Sequence, residues 1–275
     1  MRTQNEILPA ARKEGRAVGA FNVANLETLL AVFHAAERES SPVIIQVYQR
    51  LFQDERAALL AAMTQRLAAN SPIPVVLHLD HGSSLEQIRK AIDLGYTSVM
   101  IDGSQLPFAE NVALTAEAVK IAHGAGVAIE AEIGHVPFGD GPVELSTATE
   151  AAEFVGLTGV DALAISIGTA HGFYKQEPKL DIPRASEIGQ AIPIPLVLHG
   201  GTGVPDEQLQ KAIACGVAKI NIATELQSMF LRGVAAELVQ NGEKFKPLDL
   251  YFKPVEEQIS EYVRSKIRVF SERNR

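Results

Sequence analysis

Short apolar runs alternate along the chain with longer stretches in which apolar residues recur every three or four positions. The runs fall at residues 18–23, 43–48, 75–80, 98–102, 127–133, 162–167, 196–199 and 219–223. Runs of this length suit strands buried on both faces. Between them, residues 26–39, 55–70, 85–94, 107–123, 149–157, 183–191 and 206–214 carry apolar residues at helical spacing with charges between. That spacing predicts amphipathic helices. Residues 225–240 add a helix after the last strand, and further helices are expected near 3–14 and 254–270. Strand and helix alternating eight times predicts an α/β fold, a (β/α)8 TIM barrel. It would form a single domain over residues 1–275, with extra N- and C-terminal helices. No repeat, low-complexity tract or linker divides the chain.

In such a barrel the chemistry sits at the C-terminal ends of the strands. The stretch Pro74-Val-Val-Leu-His-Leu-Asp-His-Gly82 runs from apolar residues to His78, Asp80 and His81. Side chains alternate along a strand, so His78 and Asp80 share a face. His81 falls to the other face unless the strand ends there. An imidazole beside a carboxylate at a strand end is either a metal ligand with an acid–base partner or a hydrogen-bonded pair closing a core.

The other predicted strand ends change that balance. They offer Asn22, Tyr48, Asp102, Ser104, Glu130, Glu132, His171, His199, Asn221 and Thr224. Three of the seven histidines, His81, His171 and His199, would meet at one mouth. Three protein ligands with one position left open is the pattern of a catalytic zinc site. His34 and His123 fall on helical stretches and are expected at the surface. His78 is expected behind the ligands or in the core. His135 lies in a loop.

Composition narrows the partners. Hydrophobic residues make up 47% of the chain, ample for a large core, and the net charge of -8 argues against nucleic acid. A small anion remains a candidate if cations are focused locally. One cysteine, Cys215, excludes an internal disulfide and a cysteine-rich zinc site. The N-terminus lacks the apolar segment of a signal peptide, and no stretch suggests a membrane span. A cytoplasmic protein is expected. Gly200-Gly-Thr-Gly203 follows the seventh strand and precedes a helix near Pro205. Small residues there let backbone N–H groups approach an oxyanion. Asn221 and Thr224 add donors and Lys175 a cation, so a phosphorylated substrate is expected.

The motifs Leu77-His-Leu-Asp-His-Gly82, Val99-Met-Ile-Asp-Gly-Ser104, Glu130-Ala-Glu-Ile-Gly134, Gly168-Thr-Ala-His-Gly172, Leu198-His-Gly-Gly-Thr-Gly203 and Lys219-Ile-Asn-Ile-Ala-Thr224 together resemble the metal-dependent class II aldolases. That is the fructose- and tagatose-bisphosphate aldolase family, and the likeness covers nearly the whole chain. The resemblance implies zinc held by His81, His171 and His199, with Glu132 as an alternative ligand and a monovalent cation as a second candidate ion. It implies that Asp80 moves the proton of the C4 hydroxyl. It implies substrate or phosphate contacts at Asn22, Gly172, Lys175, Gly200, Thr202, Asn221 and Thr224. Arg264 would meet the distal phosphate, across a subunit boundary in a homodimer or homotetramer.

The expected reaction is reversible cleavage of a phosphorylated ketose to dihydroxyacetone phosphate and an aldehyde. The alternatives are an aldolase for another phosphorylated sugar acid or deoxy sugar, and a non-catalytic metal-bound phosphosugar-binding barrel. A Schiff-base aldolase would need a lysine inside the mouth. Lys219 is expected to open its strand and Lys175 to lie in a loop, so neither suits that role. The chain departs from the family at residues 135–144, where the usual loop glutamate that moves the C3 proton is missing. Asp140, between two glycines, is the first candidate for that task and Glu144 the second. Tyr48-Gln-Arg50 stands where the family has Ser and Gly for a phosphate, and Arg50 would supply charge in their place.

Overall fold

A computed structural model describes residues 1–137, 139, 143–242 and 244–272. Eight parallel strands close into a barrel: β1 Val18–Asn22, β2 Val43–Tyr48, β3 Val75–Gly82, β4 Ser98–Ile101, β5 Ala128–Ile133, β6 Ala162–Ile165, β7 Leu196–Leu198 and β8 Val217–Ile222. The closing pair is β1 with β8, in register Ala20 opposite Asn221. The helices are α1 Gln4–Lys13, α2 Leu26–Arg38, α3 Arg56–Ala68, α4 Leu85–Asp93, α5 Phe108–Gly124, α6 Ala148–Thr158, α7 Ile182–Ala191, α8 Asp206–Ala214, α9 Thr224–Asn241 and α10 Leu248–Ser271. The expected (β/α)8 barrel with two extra helices is therefore present.

The strands bury both faces, as their near-continuous apolar runs require. One large cluster, with Phe21, Ile45, Leu77, Ile129 and Ile220, lies between sheet and helices. A smaller one fills the lower interior with Ala20, Ile44, Val76, Ala164 and Val197, and Ile7, Leu8 and Ala11 of α1 close it from below. The Arg12 guanidinium fastens α1 to the end of α7, donating to the carbonyls of Gly189, Ile192 and Ile194.

Of the boundaries that differ from expectation, two are instructive. The last helix starts at Leu248, not at Pro254, which lies inside α10. Proline suits a first helical turn, so the sequence reads as a start there. The turns before Pro254 rest on α9 instead, where the Phe252 and Phe230 ring centres lie 5.6 Å apart. Strand β8 starts two residues early, at Val217. Lys219 therefore does not open its strand; it is the third residue and is fully buried.

Above the apolar floor the interior turns polar. His78 is fully buried; its Nδ1 lies 3.1 Å from Gln4 Nε2 and 2.8 Å from the Ser98 hydroxyl. Residues two positions further along the same strands reach the mouth. The barrel thus grades from a hydrocarbon base to a charged rim.

Candidate active site

His81 is the pivot. Strict alternation would turn it away from Asp80. The strand runs on to Gly82, but the β3–β4 register shifts between Leu79 and Gly82, and His81 has φ 54°. A non-glycine residue at positive φ is held there by its surroundings, commonly at functional sites. The bulge brings the His81 ring into the mouth beside Asp80, with 4.0 Å between His81 Nε2 and Asp80 Oδ1.

His171 sits in the loop after β6, and His199 follows β7 directly. The His171 loop is tied across to the loop after β5. His171 donates its N–H to the Pro137 carbonyl at 2.7 Å, and Gly139 donates to the His171 carbonyl at 2.9 Å. Tyr174 staples the same loop: its hydroxyl accepts from the Ala170 N–H and donates to the Gly200 carbonyl, at 2.9 and 2.8 Å.

Each imidazole has its outer nitrogen engaged. His81 Nδ1 meets Asp102 at 2.7 Å, His199 Nε2 meets Glu130 at 2.9 Å, and His171 Nδ1 meets the Val136 carbonyl at 3.2 Å. Such partners fix tautomer and ring orientation in metal sites. One ligand atom from each of the three histidines lies within 4.8 Å of the others, and the same holds for the set His81, Asp102 and Glu132. Glu132 Oε2 is buried without a hydrogen-bond partner, although His199 Nδ1 stands 3.5 Å away.

The charges point the same way. Burial and the neighbouring Asp102 push the Glu132 carboxyl up to about 8. Burial disfavours the His81 imidazolium, yet Asp80, Asp102 and Glu132 outweigh it and raise that group to about 10. Burial and the neighbouring His81 and His199 lower His171 to about 3. Carboxylates crowd one point and call for a cation there. Three imidazole nitrogens, an orphaned carboxylate oxygen and an excess of negative charge fit a divalent ion of the zinc type.

Asp80 is buried and held by two amides, from Asn22 at 2.6 Å and from Asn221 at 3.5 Å. Burial alone would raise its carboxyl. His81, His199, Lys219 and the Asn22 hydrogen bond outweigh that and lower it, so Asp80 is an ionised acceptor.

These groups open into a cavity of 640 Å³. One wall carries the expected anion contacts Gly172, Gly200, Thr202, Asn221 and Thr224. Thr224 also opens α9, whose free N–H groups favour an anion at that end. Gly200 has φ 66°, and a Cβ there would lie 2.4 Å from the Ala170 carbonyl oxygen. Gly200→Ala is therefore expected to destabilise the fold by at least about 1–3 kcal/mol from the backbone conformation alone. A denaturant melt reads this, and an unchanged midpoint would refute the strain.

Other expected residues are not brought to this cavity. Lys175 is exposed and outside its lining. Arg264 lies on α10, paired with Glu39 at 2.7 Å and with Glu261. Glu144 is exposed, pairs its backbone with His135, and lines a neighbouring pocket beside Glu150. Asp140 lies outside the described residues.

Several residues were not foreseen in their roles. Asp102 and Glu130 orient histidines, and α9 lends Gln227, Ser228, Leu231 and Arg232 to the cavity. Arg50, which the sequence did suggest as a source of charge, lines it too, with its guanidinium 5.3 Å from the Tyr48 ring centre. For Lys219 a signal existed: it stands two residues before Asn221 and so shares its inward face.

Fold and site together define a closed (β/α)8 barrel with three converging histidines, able to hold a metal ion, and a buried carboxylate beside them at its mouth. A family model, "Fructose-bisphosphate aldolase class-II", matches residues 2–275. The chain belongs to that family, whose members are metal-dependent carbon–carbon lyases. It is 43% identical to the fructose-bisphosphate aldolase of Staphylococcus aureus (strain Mu50), over 99% of this chain and 98% of that one. It is 42% identical to the fructose-bisphosphate aldolase of Staphylococcus epidermidis, with the same coverage. Among solved structures, the YdjI aldolase from Escherichia coli K12 superposes with a TM-score of 0.88 at 34% identity, covering 99% of this chain and 98% of that one.

Proposed function

We propose that the protein is a zinc-dependent ketose-bisphosphate aldolase. It would reversibly cleave fructose- or tagatose-1,6-bisphosphate, or a related phosphorylated ketose, to dihydroxyacetone phosphate and an aldehyde, glyceraldehyde 3-phosphate for the bisphosphates. The observation that carries this reading is the trio of imidazoles with their outer nitrogens engaged, next to an ionised Asp80 held by two amides.

His81, His171 and His199 would hold the zinc, with Glu132 as the further ligand its orphaned oxygen suits. When bound, the ion supplies Lewis acidity at the ketone oxygen next to the breaking bond. The substrate phosphate would rest on Gly172, Gly200, Thr202 and Thr224 at the start of α9. Asp80 accepts the C4 hydroxyl proton as the C3–C4 bond breaks, leaving an aldehyde at C4 and an electron pair at C3. A carboxylate of the loop after β5 returns a proton to C3, with Asp140 favoured over Glu144. What supports Asp140 is its glycine flanks, together with the exposed, bridge-held position of Glu144 outside the cavity.

Arg50 at the cavity rim suits an anionic group at the far end of the substrate. The apolar surface of Val239, Phe245 and Leu248, each more than half exposed, supports a homodimer or homotetramer. No helix among the described residues is long and apolar enough to cross a membrane. A cytoplasmic location is part of the proposal.

The test is cleavage of a panel of phosphorylated ketoses, read through a coupled dehydrogenase, with solvent deuterium exchange at C3 of dihydroxyacetone phosphate as a second arm. Turnover of at least one ketose phosphate is expected. Asp140→Ala should lose exchange while Glu144→Ala keeps it. Metal and sugar phosphate binding without cleavage or exchange would instead identify a binding barrel.

A further inference from the structure

Below the proposed metal centre lies a buried cation that the cleavage chemistry does not touch. Lys219 is fully buried in the barrel interior, and its ammonium donates to Glu130 Oε2 at 2.7 Å. His78 Nε2 is 3.4 Å away. Glu130 is also fully buried, and its other oxygen, Oε1, meets His199 Nε2 at 2.9 Å. One carboxylate is thus gripped from both sides, by an ammonium below and by a mouth histidine above. Gln4 Nε2 reaches Oε2 only at 3.5 Å, so the ammonium is its principal anchor.

Stability does not explain this pair. Two charges removed from water must regain a large desolvation cost, and apolar residues of similar volume are often as good or better in such places. The interior wall beside the two charges is already hydrocarbon: Val197 pairs with Lys219, Ala164 with Val197, and Ala218 precedes Lys219 in β8. A methionine at position 219 would continue it. What the charged pair adds is a fixed direction. With Oε2 anchored, the carboxylate cannot rotate about its last bond, and Oε1 stays on His199 Nε2. His199 then keeps its proton on Nε2 and presents Nδ1 to the mouth, 3.0 Å from His81 Nε2.

We infer that Lys219 is a positioning residue for the metal centre: it locks Glu130, and through Glu130 it aims His199 at the ion. This rests on the proposed metal site. It assigns Lys219 no contact with substrate and no Schiff base, in keeping with its place beneath the cavity and outside its lining.

The test compares zinc affinity, by competition with a chromophoric chelator, and the visible spectrum of the cobalt-substituted protein. The variants are Lys219→Met, Glu130→Gln and the double variant, each checked for a cooperative melt. The double variant removes both charges together, so no lone charge is left buried. Its zinc affinity is expected to fall about 10–100-fold, the usual cost of losing a partner behind a ligand, with a shifted cobalt spectrum. Lys219→Met should fall by a similar factor, and adding Glu130→Gln should cost no more, since both act through one contact. If Lys219→Met does not fold, Glu130→Gln and the double variant decide. A folded double variant with wild-type zinc affinity and an unchanged cobalt spectrum overturns the role of Lys219. Wild-type protein that binds neither metal overturns the metal site itself, and this inference with it.

Discussion

Removing the divalent ion with a chelator is expected to lower aldol cleavage about 10³-fold or more, and zinc is expected to restore it. The magnitude is the rate equivalent of several kcal/mol of lost charge stabilisation at the breaking bond. Among the described residues, no other group in the mouth is placed to take over. The anion wall is built largely from glycines, hydroxyls and an amide, and the cations that line the cavity, Arg50 and Arg232, are on its rim. Arg232 is mostly exposed and paired with Glu225 at 2.6 Å, so it is poorly suited to polarise a carbonyl beside Asp80. The buried Lys219 is engaged with Glu130 below the imidazoles. Borohydride added with substrate should therefore trap no lysine adduct. Activity that survives complete metal removal, or a trapped adduct, would put the chemistry on a lysine and end the metal reading.

Asp80→Ala should lower kcat by roughly 10²–10⁴-fold, the range for a positioned acid–base group, while zinc content stays at the wild-type level. Two amides, from Asn22 and Asn221, aim the carboxylate, and Asn22 is itself held by Gln46 at 2.9 Å. Asp80 stands beside the histidine cluster but outside the sets whose ligand atoms converge. Losing it should therefore cost proton transfer without costing the ion. Asp80→Asn offers a second view. Its amide N–H would face the amide N–H groups of Asn22 or Asn221, so it should be no better than alanine despite its matching shape. A drop in bound zinc that parallels the drop in rate would make Asp80 a metal ligand or an orienting group instead.

Most of the architecture was legible because two periodicities were clean. Eight apolar runs separated by helical spacing left little choice of fold. The strand ends then named most of the mouth residues, since in a parallel barrel those ends all emerge on one side. Legibility failed where geometry departs from the ideal period or where contacts join residues far apart in the chain. Alternation misplaces His81, because the bulge at Leu79–Gly82 and the positive φ are set by packing against β4. The start of α10 was hidden because Pro254 is a strong local signal, whereas the turns before it rest on α9 through the Phe252–Phe230 contact, which joins residues apart in the chain. Residues on α9 that line the cavity, such as Gln227 and Arg232, lie beyond any strand end, and only the path of the helix brings them there.

The sequence by itself determined the fold class and named the three histidines, Asp80 and the small residues that the structure gathers at the barrel mouth. Each follows from residue type and local period, which are properties of the chain before it folds. Tertiary structure alone decided which nitrogen each histidine keeps free, because that depends on partners contributed by other strands: Asp102 for His81, Glu130 for His199 and the Val136 carbonyl for His171. It also decided that Glu130 faces Lys219, 89 residues away in the chain, and that Glu144 turns into a separate pocket. The physical reason is directional. Hydrophobic burial depends on how much surface is covered and so follows from local pattern. Hydrogen bonds and metal ligation depend on angles and on distances of about 3 Å, and those are settled only when distant strands are brought side by side.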